Sequence, residues 1–265
     1  MEKPKMNGII KRIVTALVLV PLTVGVLYIG SPLINIFAMI VGGILAWEWT
    51  TMVSNKRPAF FAVCYSLPMA LAVFLLPSCW LLSVVLGAMM LITLKTKEEK
   101  YKNLLVLGVP YIALGIGSVV WLYSIVGYQG TLWFLLMVWS VDIGGYVVGT
   151  NLKGPKLAPK ISPNKTWSGL VGGMLLAALV SCATAYCFGV RGGFGFYMLY
   201  GAAVALVAQM GDLLESAVKR HLGIKDSSNL IPGHGGMFDR IDGVLVAAPV
   251  LVLFIFLVGW WQYNF

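Results

Sequence analysis

The stretch ESAVKRHLGIKDSSNLIPGHGGMFDRID, Glu215–Asp242, sets Lys219, Arg220 and His221 in a row, then adds Lys225, Asp226, a Pro-Gly-His-Gly-Gly turn, Asp239, Arg240 and Asp242. It stands in a chain of 265 residues that is 59% hydrophobic and only 11% charged. Apolar runs of about 20 residues flank it, the length that crosses a bilayer as helix. The polar stretch therefore reads as a loop between two membrane spans.

The same pattern recurs outward from the loop. With a mean hydropathy of +0.89, candidate spans fall near 11–29, 33–50, 59–76, 79–94, 104–126, 131–149, 167–189, 194–214 and 244–263. This predicts an all-α polytopic integral membrane protein of about nine transmembrane helices. The first span has basic flanks like a signal peptide, yet no small-residue cleavage pattern follows Gly30, and it reads as an uncleaved anchor.

Nine spans also sort the charges. Lys3, Lys5, Lys11, Arg12, Lys56, Arg57, Lys95, Lys97, Lys100, Lys102, Lys153, Lys156, Lys160, Lys165, Lys219, Arg220, Lys225 and Arg240 all fall on one side, leaving only Arg191 opposite. By the positive-inside rule this predicts a cytoplasmic N-terminus, a C-terminus outside and both long basic loops, 150–166 and 215–242, in the cytoplasm. The net charge of +9 is scattered along one membrane face with few interleaved aromatics, which argues against nucleic acid and for anionic head groups or an anionic substrate.

Cys64, Cys79, Cys182 and Cys187 lie in apolar runs without C-x-x-C spacing, so they read as core thiols. No internal repeat or linker marks a second domain. The polar residues gather late, and the chain reads as N-terminal spans over 1–130, for scaffold, dimerisation or lipid access, and a catalytic membrane region over 131–265.

Three acids sit where acids are expensive. Asp142 lies inside the sixth span, in MVWSVDIGGYVVG, where a charge costs about 2.5 kcal/mol or more. On the eighth span Asp212, Glu215, Ser216 and Lys219 stand at i, i+3, i+4 and i+7, on one stripe of a helix. An ordinary intrahelical ion pair accounts equally well for Glu215 and Lys219, whereas Asp212 lies deeper. Asp239 and Asp242 then precede the last span; one of them can simply cap its helix. A helical hairpin would bring Asp239 towards Asp212, with Asp142 as a candidate neighbour, an oxygen-rich set suited to Mg²⁺ and phosphate. His221 and His234 are the only histidines, too few for a zinc site.

The other loop, GTNLKGPKLAPKISPNKTWSG over Gly149–Gly169, ends in a Ser-Pro-Asn-Lys-Thr-Trp run read as the start of a helix. Helix amides with Ser162, Thr166 and Lys165 would bind an anion. Lys153, Lys156 and Lys160 have topology as their plainer role. Gly233, Gly235 and Gly236 around His234 resemble an anion nest.

From Ser216 to Asp242 the chain resembles the signature of the phosphatidate cytidylyltransferase family, also called CDP-diacylglycerol synthases. The matching positions are Ser216, Lys219, Arg220, Lys225, Asp226, Pro232, His234, Gly235, Gly236, Asp239, Arg240 and Asp242. KLAPKISPNKTW, Lys156–Trp167, is similar to the family's second cytoplasmic motif, with departures at LKGPK and Ser168.

The resemblance implies transfer of a cytidylyl group from CTP to phosphatidate, giving CDP-diacylglycerol and pyrophosphate at the cytoplasmic face of a bacterial inner membrane. It implies a Mg²⁺ centre using Asp212 and Asp239, K⁺ as a candidate second cation, and a homodimer. His234, Lys219 and Arg240 are expected beside these acids in catalysis. Substrate binding is expected from Asp142, Ser162, Lys165, Thr166, Glu215, Ser216, Arg220, Lys225, Asp226, Gly235, Gly236 and Asp242. Whether His234 handles a proton or holds a phosphate stays open. Two rivals stand beside this reading: a cation-coupled transporter, which predicts inverted repeats and midplane polar groups, and another lipid-modifying nucleotide enzyme, such as a CDP-archaeol synthase or a polyprenol kinase relative.

Overall fold

The computed structural model describes residues 6–54, 65, 100–231 and 235–258. Apart from Tyr65, the spans expected near 59–76 and 79–94, together with Cys64, Cys79 and His234, lie outside the described residues. Helices dominate: α1 (Met6–Ile29), α2 (Leu33–Val53), α3 (Lys102–Leu152), α4 (Trp167–Cys187), α5 (Phe194–His221) and α6 (Phe238–Val258). Between α3 and α4 stands a two-stranded antiparallel hairpin, β1 (Lys156–Ala158) and β2 (Ser162–Thr166).

Five of these helices are long and apolar enough to cross a membrane, as expected for a multi-pass membrane protein. One of the five is α3, whose 51 residues would span about 75 Å as a straight helix, against about 30 Å of hydrocarbon. Gly127 breaks it, with a φ of 64° and a ψ of −167°. The break falls between the spans expected at 104–126 and 131–149, and each half is long enough to cross alone. Outward-facing Leu175, Leu179, Leu199, Leu253 and Phe256 are more than half exposed, a surface that lipid solvates and water does not.

The chain forms two compact units. The first holds the described residues up to Val120 together with Ile224–Ile241, and the second holds Trp121–Gly223 and the described residues from Asp242. In the first, Trp49 of α2, Tyr111 of α3 and Phe238 at the start of α6 pack ring on ring at 5.4–5.8 Å. The Trp49 indole N–H donates to the Leu104 carbonyl at 3.1 Å. Gly108 makes this possible, because a Cβ there would sit 2.0 Å from the indole nitrogen.

In the second unit, small residues let backbones approach, as membrane helices do where apolar burial offers no drive. Gly144 of α3 lies against α4, where a Cβ would meet the Gly172 carbonyl at 2.6 Å. Gly201 of α5 would meet the Ala177 carbonyl of α4 at 2.5 Å, and Gly211 of α5 the Asp242 carbonyl of α6 at 2.7 Å. The α5 helix stops at Gly223, whose φ of 75° suits a residue without Cβ. Lys219, Arg220 and His221 fill its last turn, where cations complement the helix dipole.

Candidate active site

In the second unit the expected stripe on α5 is present. Asp212 accepts from the Ser216 hydroxyl at 3.3 Å, and Glu215 pairs with Lys219 at 3.0 Å. Both members of that ion pair are buried, Glu215 at 1% exposure. Burying two charges together is tolerable only when they face each other closely, so this pair is built into the helix face rather than hung from its surface.

Lys165 of β2 forms an ion pair with Asp212 Oδ2. The hairpin is what delivers it. Ala158 and Ser162 each precede a proline, which disfavours helical backbone at both and holds them extended, and they face one another across the strand pair. Arg220 pins the turn by donating from Nε to the Ile161 carbonyl at 3.2 Å. The Ser162–Thr166 run is thus a strand and not a helix start, which corrects that part of the sequence reading. The helix begins at Trp167, with Thr166 as its N-cap accepting from the Gly169 N–H at 3.1 Å.

From α6 it is Asp242 that joins Asp212. The close crossing at Gly211 and Gly243 brings the two helices together, and Asp212, Glu215 and Asp242 each offer a carboxylate oxygen, all within 4.8 Å of one another. This is a hard-oxygen set without thiolate or imidazole, and it could hold a metal ion. Asp142 is exposed on α3 and Ser162 is half-buried at the head of β2.

In the first unit, the signature residues Gly236 and Asp239 meet Ser227. Asp239 Oδ2 accepts from the Gly236 N–H at 2.8 Å, the Ser227 hydroxyl at 3.0 Å and the Ser227 N–H at 3.1 Å. Gly235 holds a φ of 83° in this turn, and Gly236 has no room for a Cβ, which would lie 1.9 Å from Ser227 Oγ. Lys225, Asp226 and Arg240 are exposed.

A residue that the sequence reading passed over stands here too. Glu48 of α2 is 2% exposed and accepts from the N–H groups of Met237 and Phe238 at 3.0 and 2.8 Å. Its signal was the one that drew attention to Asp142, an acid inside an apolar run, LAWEWTTMV.

The Cytidylyltransferase family model matches residues 10–258. The chain belongs to this family. It is 35% identical over 254 residues to the phosphatidate cytidylyltransferase of Brucella suis, covering 94% of each chain. It is 34% identical over 276 residues to that of Pseudomonas aeruginosa, covering 94% of this chain and 98% of the relative. The Rickettsia felis protein of the same name is 32% identical over 257 residues, covering 95% and 93%. Family membership thus reaches back through the N-terminal spans, where the sequence offered only generic apolar runs.

Proposed function

We propose that this chain transfers a cytidylyl group from CTP to phosphatidate, releasing pyrophosphate and giving CDP-diacylglycerol for phospholipid synthesis. The observation that carries the proposal is the pairing of Lys165 with Asp212, which sets a cation from the hairpin beside the carboxylate cluster within a family of cytidylyltransferases.

The chemistry asks little proton transfer of the protein. A phosphomonoester has its second pKa at about 6, so the phosphatidate phosphate is mostly dianionic at neutral pH. One of its oxygens bonds to the α-phosphorus of CTP as the bond from that phosphorus to the bridging oxygen breaks, and pyrophosphate leaves with the electron pair. The task is to hold two anions in line and balance their charge. Lys165 and Lys219 supply cations beside the carboxylates, and exposed Arg220, Lys225 and Arg240 supply donors that water-borne phosphates can reach, the arginines in bidentate fashion. Ser216, held at Asp212, adds a neutral donor.

Mg²⁺, when bound, would neutralise the nucleotide phosphates. Asp212, with Glu215 and Asp242, is the set in the second unit that would hold it, and Asp239 is the further acid that the signature assigns to it. K⁺ as a second cation and a homodimer belong to the same reading. So does a site at the cytoplasmic face of the inner membrane, for which the one-sided distribution of Lys and Arg is the support.

The test is direct. Purified protein in nanodiscs, given labelled CTP and phosphatidate with Mg²⁺, is expected to release one pyrophosphate per CDP-lipid formed. Absence of CDP-lipid, or movement of a solute across liposomes in its place, would overturn the assignment.

A further inference from the structure

Glu48 stands far from the signature in sequence, 190 residues before Phe238, and has no part in the chemistry above. Its surroundings set it apart from the other acids. A buried carboxylate is costly unless donors or cations compensate it, and among the described residues no Lys or Arg pairs with it. Donors do the compensating. Oε1 accepts from the Ser228 hydroxyl and from the Met237 N–H at 3.0 Å, and Oε2 from the Phe238 N–H at 2.8 Å.

Two of those donors are the amides at the opening of α6. The first amides of a helix have no partner inside it and carry its positive dipole end, so a fixed anion there both satisfies them and fixes where the helix begins. Capping by a residue from another helix also ties the cap to the packing of α2, since neighbouring Trp49 stacks on Phe238 at 5.4 Å.

The donors alternate between two carboxylates. Glu48 takes Ser228, Met237 and Phe238; Asp239 takes their neighbours Ser227 and Gly236. The Ser227 hydroxyl lies between the two, 3.0 Å from Asp239 Oδ2 and 3.5 Å from Glu48 Oε2. Both ends of the loop that cradles Asp239 are therefore held from α2.

We propose that Glu48 is a positioning residue for cytidylyl transfer: it fixes Ser228 and the opening of α6, and through them the geometry of Asp239, without touching substrate. The inference rests on the activity proposed above. Glu48→Gln keeps the shape but turns an amide NH₂ towards groups that are themselves donors, whereas Glu48→Asp keeps the charge on a shorter arm.

Full-length protein in nanodiscs provides the test, with steady-state kinetics and peptide-level hydrogen exchange. For Glu48→Gln, kcat is expected to fall about 10- to 100-fold, the cost of misplacing a site by about 1 Å, while KM for CTP and phosphatidate stays within about twofold. Glu48→Asp should recover at least part of kcat, and amide exchange across 235–239 should quicken in the Gln variant with its thermal midpoint little changed. Wild-type kcat in Glu48→Gln, a rise in KM alone, or no recovery in the Asp variant would overturn the inference while leaving the activity standing. Should the Gln variant fail to fold, Ser228→Ala removes one donor only, and unchanged kcat with unchanged exchange at 235–239 overturns it instead. If the wild type makes no CDP-lipid, the activity reading falls, and the exchange comparison alone still decides whether Glu48 holds the loop.

Discussion

Lys165 on β2 and Asp212 on α5 form an ion pair between residues 47 positions apart. The pair gives the hairpin a purpose beyond connection, since the strand carries a cation to a carboxylate that neighbours Glu215 and Asp242. Replacing Lys165 by Met keeps the length and removes the charge. We expect kcat/KM for CTP to fall at least about 100-fold, the scale of losing one preorganised electrostatic contact, with Lys165→Arg less affected. Initial rates of CDP-lipid formation measure both, and a Met variant with wild-type rates would detach Lys165 from the reaction.

The carboxylates divide between the acids of the second unit and Asp239. Asp212→Asn and Asp239→Asn are each expected to abolish CDP-lipid formation, and chelation by EDTA to do the same reversibly, with Mg²⁺ restoring the rate. Full activity in either variant would remove that acid from the metal centre. Activity that survives chelation would remove the metal.

At Gly211 the backbones of α5 and α6 come too close for a side chain, with the Asp242 carbonyl 2.7 Å and Gly243 Cα 3.1 Å from where a Cβ would stand. Gly211→Ala must push the helices apart, at a cost of about 1–3 kcal/mol, and should lower activity because Asp242 moves with its helix. Gly195 lies on the same helix with nothing within 4 Å, and Gly195→Ala is expected to be neutral or stabilising by up to about 1 kcal/mol. Thermal unfolding in detergent compares the two, and equal midpoints would contradict the close crossing.

The charge asymmetry makes a topological prediction. With Cys64, Cys79, Cys182 and Cys187 replaced by Ala, a Lys160→Cys variant should react with a membrane-impermeant maleimide only from the cytoplasmic side. Arg191→Cys should react only from the other. The reverse pattern would invert the assigned orientation.

What could be read before folding depended on how local the cause was. The apolar spans are legible because the lipid acts on each stretch of about 20 residues by itself. The break at Gly127 falls in the polar gap between two expected spans, and the stripe of Asp212, Glu215, Ser216 and Lys219 follows from helical periodicity alone. The hairpin was missed because Ser162–Thr166 carries Ser, Asn and Thr, residues that serve helix caps and turns equally well. Prolines after Ala158 and Ser162 were the available sign of extended chain.

The amino-acid sequence by itself determined the membrane class and the polar loops, because each rests on composition or spacing within a few tens of residues, and it carried the resemblance to the cytidylyltransferase signature. Only the tertiary structure decided which donor each carboxylate meets: Lys165 for Asp212, Lys219 for Glu215, and the opening of α6 for Glu48. Of these only the second lies within one helical turn. The others join parts of the chain 47 and 190 residues apart, and a buried charge takes its partner from whatever packing brings within about 3 Å, which no local pattern encodes.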